Sequence, residues 1–268
     1  MSRRSCGSCG RHIEASSSDD ATPQGFCSKR CFDLAQVREA FDSKLIEIVM
    51  LSRPGGDGER ALEILDGLRN AWLDSDHDGW LDRTIRSHRA IVYQNAGRHQ
   101  DALDELRIVE SSLPPLSDEL VLTKASIVRG LEGAGRYDEA LEELTSLIAA
   151  WEQLPILRIM GILGMYVDIT AAAGKVVDVI CSEVLLQWSA RTGIHLSSEL
   201  VETDLPAAIR DATDRQQKGE KRFSQLCRFL ESQTEEERTD TIRQYIASEP
   251  IIYLQQRASR LLALDDEE

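Results

Sequence analysis

The sequence has few aromatic residues and no long apolar stretch. Aromatics make up 5% of its 268 residues, and runs of β-branched residues are scarce, so the composition favours helices over strands. No apolar stretch reaches the roughly 18 residues that a membrane span needs, because Arg158 and Asp168 interrupt the most apolar segment. The opening Met-Ser-Arg-Arg lacks the apolar segment of a secretory signal. We expect a mainly α-helical cytoplasmic protein with no membrane segment.

The sequence also lacks the motifs of common catalytic sites. It has no Gly-rich phosphate loop, and its five His residues stand in no metal or nucleophile motif. We therefore expect that the protein is not an enzyme. Acidic residues outnumber basic ones by 46 to 31, which gives a net charge of −15. This charge disfavours nucleic acid, because affinity for nucleic acid comes largely from neutralising phosphates. The expected partner is a protein.

Four of the six cysteines lie close together near the start of the chain, as Cys6-x-x-Cys9 and Cys27-x-x-x-Cys31. A Cys-x-x-Cys turn brings two thiolates to one ion, and Cys27 and Cys31 lie one turn apart at the start of a predicted helix. In a reducing compartment this clustering is typical of metal sites. We predict one structural zinc ion held by all four thiolates. A redox dithiol and disulfides are the alternatives.

The other cysteines and the nearby His12 are given no ligand role. His12 could replace a cysteine ligand, but four thiolates already complete a tetrahedral shell. Cys181 and Cys227 stand alone in helical segments, where a cysteine usually acts as a small buried apolar residue. We expect Arg11, Lys29 and Arg30 to offset the negative charge of a zinc ion bound by four thiolates, with contact to a protein or to nucleic acid as the alternatives.

A resemblance to treble-clef zinc fingers is carried by the segment Gly25-Phe-Cys-Ser-Lys-Arg-Cys-Phe-Asp-Leu34. The TRASH and MYM-type fingers have a similar Phe-Cys-Ser-x-x-Cys half. The segment is most similar to the small YacG-type zinc proteins, a family that inhibits DNA gyrase. The resemblance covers about residues 5 to 36, with a slightly longer and more Ser/Asp-rich loop between the cysteine pairs. It implies a zinc finger over residues 1–36 with ligands Cys6, Cys9, Cys27 and Cys31.

Glycines recur at similar intervals along the chain. They are Gly56, Gly97, Gly135 and Gly174, spaced by 41, 38 and 39 residues. The two central copies read Asn95-Ala-Gly-Arg-His-Gln-Asp-Ala-Leu-Asp-Glu-Leu106 and Gly133-Ala-Gly-Arg-Tyr-Asp-Glu-Ala-Leu-Glu-Glu-Leu144. Each glycine can take the left-handed conformation that ends one helix, and an acidic residue then opens the next. The pattern predicts a series of helical hairpins.

These hairpins resemble the tetratricopeptide repeat (TPR). The best copy carries Ala90, Tyr93, Gly97, Ala102, Leu106, Val109 and Pro114, and the last keeps only Val167, Gly174 and Val179. The spacing exceeds the 34 residues of the family, so HEAT-like helix pairs are an alternative. The resemblance implies a TPR-like α-solenoid over residues 37–190, whose concave groove would hold a peptide or helix of a partner. By repeat position, the residues facing this groove are Ser87, Gln94, Arg129, Glu132 and Asp168.

The helix of the predicted finger is expected to continue into the first repeat. No Gly or Pro interrupts residues 28–52, and apolar residues recur there at helical spacing. Finger and array would then form one rigid unit that presents two binding surfaces.

An acidic segment between two predicted helices resembles the opening of an EF-hand loop. It reads Asp74-Ser-Asp-His-Asp-Gly79-Trp-Leu-Asp82, with acids at loop positions one, three and five and Gly at position six. The twelfth position, which should supply a bidentate acid, is Ile85. We predict an acidic turn between repeats, with calcium binding as the alternative.

Residues 191–268 are predicted to form a separate helical region that caps the array or makes a homodimer. Gly193 and the stretch from Ser197 predict a turn, and Thr234 followed by three Glu residues predicts a helix start. Pro250 is expected to open a last amphipathic helix through Leu264.

The leading hypothesis is a non-enzymatic adaptor or scaffold. Its zinc finger would dock on one macromolecule and its helical array would grip a segment of another. One alternative is a zinc-dependent regulator that inhibits a nucleic-acid enzyme such as gyrase, as the YacG-type resemblance implies. The other is a nucleic-acid-binding zinc-finger protein that uses the array as a dimerisation platform.

Overall fold

The protein is built almost entirely of α-helices in the part of the chain that the structure describes. The structure is a computed structural model that describes residues 4–5, 12–13, 26 and 28–265. Two short strands, β1 (Arg4–Ser5) and β2 (His12–Ile13), form an antiparallel pair. The helices that follow are α1 (Lys29–Leu51), α2 (Gly58–Trp72), α3 (Trp80–Asn95), α4 (His99–Ser111), α5 (Asp118–Gly133), α6 (Tyr137–Ala149), α7 (Ile159–Ala172), α8 (Val179–Thr192), α9 (Ser198–Thr203), α10 (Leu205–Leu230), α11 (Glu235–Ser248) and α12 (Ile252–Asp265). The predicted mainly α fold is therefore confirmed.

The chain divides into two compact units. The first unit comprises Met1–Pro115 and Leu122–Arg136, and the second comprises Leu116–Val121 and Tyr137–Glu268. Among the described residues, no helix combines the length and the apolar content that crossing a membrane requires.

Three of the recurring glycines end their helices as the sequence predicts. Gly97, Gly135 and Gly174 have φ values of +73°, +71° and +67°. In each turn the N–H of the following residue donates to the carbonyl five positions back, at 2.8, 2.8 and 2.9 Å. This is the Schellman arrangement, which satisfies carbonyls at a helix end and requires a left-handed residue that glycine adopts without strain. The same local geometry therefore closes α3, α5 and α7.

The first glycine of the series behaves differently. Gly55, and not Gly56, has a positive φ, of +81°. A Cβ built on Gly56 would lie 2.4 Å from the carbonyl oxygen of Leu51. Gly56 therefore differs from the other three glycines of the series. Glycine is needed there because the backbone passes close to the last turn of α1.

The fourth repeat also departs from the predicted register. The helices α4 and α6 begin two residues after their turn glycine, whereas α8 begins at Val179, five residues after Gly174. Val179 is 68% exposed, and Cys181 takes the fully buried position instead. Matching Val179 to the buried Ala102 and Ala140 of the other copies was wrong, because the longer turn delays the start of the helix by three residues.

Burial makes Cys181 chemically inert. Desolvation, with a smaller contribution from nearby Asp178, raises the pKa of the Cys181 thiol to about 12. Because the thiolate is the reactive form, we expect iodoacetamide at pH 8 to leave Cys181 unmodified in the folded protein and to alkylate it fully in urea. Peptide mass spectrometry would measure both. Cys227, which is only half-buried, is the internal control and should react faster. Equal alkylation rates at Cys181 and Cys227 in the folded protein would contradict the conclusion that burial protects Cys181.

The first unit is organised around α1. This helix runs without a break from Lys29 to Leu51, capped by Ser28 and Ser52, so the predicted continuous helix is confirmed. It crosses residues 36 and 37, where the predicted finger meets the predicted repeats. It packs against α2 and α3. The core of these helices consists of Val37, Phe41, Ile48, Leu65, Leu68, Leu81 and Ile85.

The second unit has a core around Trp188. The indole is fully buried, and its Nε1–H donates to the Ile156 carbonyl at 3.1 Å. The predicted start of α11 is confirmed, since Thr234 is its N-cap and forms a capping box with Glu237. The last helix, α12, packs against α8, α10 and α11. Its predicted apolar side is buried at Ile251, Leu254 and Ala258.

Candidate functional site

The predicted zinc ligands fall mostly outside the described residues. This applies to Cys6, Cys9 and Cys27, whereas Cys31 is described and lies half-buried in the first turn of α1. The Cys31 N–H donates to Oγ of Ser28, the N-cap residue, at 3.2 Å. Cys31 therefore lies at the N-terminal end of α1, beside its cap.

Two described features border the cysteine pairs in sequence. Ser5 pairs with His12 in the antiparallel β1–β2 ladder, at the two ends of segment 6–11, which holds the Cys-x-x-Cys motif. The rings of Phe26 and Phe32 meet edge to face, with centroids 5.3 Å apart, and these residues border the second pair.

Among the described residues, no group of three or more His, Cys, Asp or Glu side chains is placed to hold a metal ion. Three of the four predicted zinc ligands lie outside those residues, so the zinc site stays a prediction.

The acidic segment before α3 forms a helix-capping turn. The two carboxylate oxygens of Asp76 accept the N–H groups of Leu81 and Asp82 at 3.0 and 2.9 Å. The carboxylate of Asp78 accepts the N–H of Trp80 at 3.1 Å. Both carboxylates are thus engaged with backbone amides at the start of α3.

The same turn is linked to the beginning of α1. The guanidinium of Arg30 donates to the His77 carbonyl at 3.2 Å, and His77 Nε2 lies 3.6 Å from the carboxylate of Asp33. Arg38 lies 3.7 Å from Asp78. Exposed pairs of this kind contribute at most about 1 kcal/mol each. Together they hold the first turns of α1 against the turn that precedes α3.

A network of ion pairs joins α2, α3 and α4. Glu105 accepts from Arg86 at 2.7 Å and forms an ion pair with Arg89, whose Nε lies 2.8 Å from the carboxylate. Asp82 accepts from Arg69 at 2.9 Å and from Arg86 at 2.8 Å. Burial alone would raise the pKa of Asp82, but the guanidinium groups of Arg86 and Arg69 outweigh it and lower that pKa. These charges are engaged with one another and hold the helices together.

The predicted groove residues differ in how they are engaged. Oγ of Ser87 donates to the Arg83 carbonyl within its own helix at 2.9 Å. The amide of Gln94 donates to the Ser126 carbonyl at 2.9 Å, which links α3 to α5. The exposed members are Arg129 and Glu132 on α5 and Asp168 on α7. The first unit thus brings four of the five residues onto two neighbouring helices, and Asp168 belongs to the second unit.

Sequence reasoning missed exposed apolar side chains on α1, α3 and α5. Five of them are large, namely Val49 (39%) and the following four: Ile46 (79%), Met50 (53%), Ile91 (43%) and Leu122 (44%). We call these four residues the apolar strip. Met50 and Ile91 each lie six residues before a turn glycine of the repeat series. The helices that carry the strip are neighbours, because α1 packs against α3 and Gln94 joins α3 to α5. The sequence contained one sign of this surface, which is that Met50 and Ile91 are large apolar residues at the same position of the repeat.

Comparisons with protein-family models, with curated proteins and with solved structures find no match to this chain.

Proposed function

We propose that the protein is a non-enzymatic cytoplasmic adaptor that binds a segment of a partner protein on the apolar strip of its first unit. The observation that carries this proposal is the exposure of Ile46, Met50, Ile91 and Leu122 on three neighbouring helices. Single exposed apolar residues are common on protein surfaces, whereas contiguous apolar patches are typical of interaction sites. We propose that the four residues of the strip form such a patch. Covering the exposed half of such a side chain contributes roughly 1 kcal/mol.

Polar residues beside the strip would orient the bound segment. Arg129 and Glu132 are exposed on α5, one helical turn apart. An apolar surface with a few charged groups suits a segment that presents both apolar and charged side chains. Gln94, whose amide is already engaged with α5, would keep the helices at a fixed spacing during binding.

The second part of the proposal is a zinc finger at the start of α1. Three described features support it: the β1–β2 pair, the Ser28 cap beside Cys31, and the packing of Phe26 on Phe32. Because α1 also carries Ile46 and Met50 of the apolar strip, the finger and the strip would share one helix. A partner bound to the finger would then be held at a set distance from a partner bound to the strip.

The test uses Ile91→Glu and a matched control, Ile108→Glu. Ile108 is 49% exposed on α4, outside the strip. Peptides selected from a random display library on the wild-type protein would be measured by fluorescence anisotropy. We expect Ile91→Glu to weaken the binding of strip-directed peptides by about tenfold or more, because a carboxylate cannot replace the apolar contact. Ile108→Glu should change it by less than about twofold.

Circular dichroism would show that both variants keep the wild-type helix content and thermal midpoint. Equal binding by wild type and Ile91→Glu for every selected peptide would refute a binding role for the strip.

A further inference from the structure

A cleft of about 420 Å³ opens between α7 and α10 within the second unit. Its volume lies within the range of roughly 300–1,000 Å³ that is usual for ligand sites. The α7 side contributes Met160, Gly161, Gly164, Met165 and Asp168, and Ile209 of α10 completes the apolar part. Methionine side chains are flexible and polarizable, and they adapt to varied apolar partners. The cleft is therefore suited to receive an apolar side chain.

Glycines keep the cleft open. A Cβ built on Gly161 would have no atom within 4 Å, and one built on Gly164 would only touch Ile209, at 4.0 Å. Packing therefore does not require glycine at position 161. Alanine would also favour the helix more than glycine does. Because Gly161 lines the cleft, any side chain at this position would occupy space that the sequence leaves empty.

The charges around the cleft indicate the chemistry of its occupant. Asp168 is exposed and has no ion-pair partner among the described residues, while Asp214 pairs with Lys218 at 2.6 Å. Arg210 also lines the cleft and could hold a carbonyl of a bound chain. The second unit has 13 basic and 26 acidic residues, a net charge of −13. A basic segment would be attracted to this unit and could pair with Asp168.

We propose that the α7–α10 cleft docks a basic segment of a partner protein. One large apolar side chain of that segment enters the space above Gly161 and Gly164, and a neighbouring Lys or Arg pairs with Asp168. The cleft is formed by the second unit alone, so this site is distinct from the apolar strip.

The experiment compares wild type with Gly161→Leu, Gly161→Ala and Asp168→Asn. A random-peptide display library is selected on wild type in parallel with Gly161→Leu, and peptides enriched only on wild type are measured by fluorescence anisotropy. We expect these peptides to share a large apolar residue next to Lys or Arg. Gly161→Leu should weaken their binding by about tenfold or more, and Asp168→Asn by about threefold or more with a reduced dependence on salt. Gly161→Ala, which adds only one methyl group, should stay within about threefold.

Thermal unfolding would establish that all variants are folded, and Asp168→Asn tests the site without filling it. The proposal is overturned if no peptide is specific to wild type, if the selected peptides are acidic, or if Asp168→Asn binds them as wild type does. Peptides that are lost in Ile91→Glu but kept by Gly161→Leu would support the apolar strip and count against the cleft. Peptides that are lost in Gly161→Leu but kept by Ile91→Glu would support the cleft and not the strip.

Discussion

A Glu249→Gln variant will lose roughly 2 kcal/mol of unfolding free energy, and an Arg222→Gln variant will lose roughly 3 kcal/mol. The two side chains form a bidentate pair with distances of 2.9 and 2.7 Å, and Glu249 also accepts the N–H of Ile251 at 3.1 Å. The side chain of Glu249 is 1% exposed, whereas that of Arg222 is 43% exposed. Water can hydrate Arg222 when it loses its partner, but it cannot reach Glu249. Removing the arginine therefore has the larger effect.

The Arg222–Glu249 pair also makes the unfolding free energy depend on pH. Burial alone would raise the pKa of Glu249, but the hydrogen bonds from Arg222 and from the Ile251 N–H outweigh it and hold that pKa below its ordinary value. The pair's stabilisation is therefore complete above the unfolded-state pKa of about 4.3 and is lost as the pH falls through the lower folded-state value. We expect the stability of Glu249→Gln to fall less steeply than that of wild type below about pH 4.

Urea denaturation followed by circular dichroism measures both effects. The control is Asp240→Asn, since Asp240 and Arg243 form an exposed pair at 3.6 Å on α11. This control should change the unfolding free energy by less than about 0.5 kcal/mol. A Glu249→Gln variant as stable as the control, or an Arg222→Gln variant more stable than Glu249→Gln, would contradict the argument.

The pair also matters for the proposed cleft. Arg222 lies on α10, and Glu249 lies between α11 and α12, so the pair ties α10 to the last two helices. Because α10 forms one wall of the cleft, the C-terminal helices support a surface to which they contribute no lining residue.

Features that depend on a few neighbouring residues were predictable from the sequence. The turn glycines Gly97, Gly135 and Gly174 were found because one residue with positive φ closes a helix by local hydrogen bonds. The start of α11 at Thr234 was found because its capping box spans only four residues. The continuity of α1 followed from the absence of helix breakers.

Features that depend on turn length or on distant contacts were not predictable. Gly56 and Val179 were placed by counting along the repeat, and small differences in the length of the adjoining turns changed the role of each. The bond between Gln94 and Ser126 joins residues 32 positions apart, and its partner cannot be read from the sequence. The α7–α10 cleft arises where two distant helices meet, so single-helix patterns contain no sign of it.

Replacing Cys31 by serine will abolish stoichiometric zinc binding. We expect the full-length wild-type protein to contain one zinc ion per chain, because four thiolates complete a tetrahedral site. A serine hydroxyl is a poor replacement for a thiolate, and we expect the variant to retain less than about a tenth of the metal after dialysis. Inductively coupled plasma mass spectrometry gives the metal content. Cys227→Ser is the control, since Cys227 lies on α10, and it should keep its zinc.

The structural effect of zinc loss should be confined to the start of α1. From Val37 onward the helix is held by a core that includes Phe41 and Ile48, whereas its first turns are held mainly by the exposed contacts of Arg30 and Asp33 with His77. Hydrogen exchange in Cys31→Ser should therefore speed up over residues 29–35 and stay unchanged beyond Val37. A full zinc content in this variant would show that Cys31 is not a ligand. If exchange beyond Val37 also accelerated, zinc would be needed to hold the rest of α1 against α2 and α3. The finger could then not act as a separate docking surface.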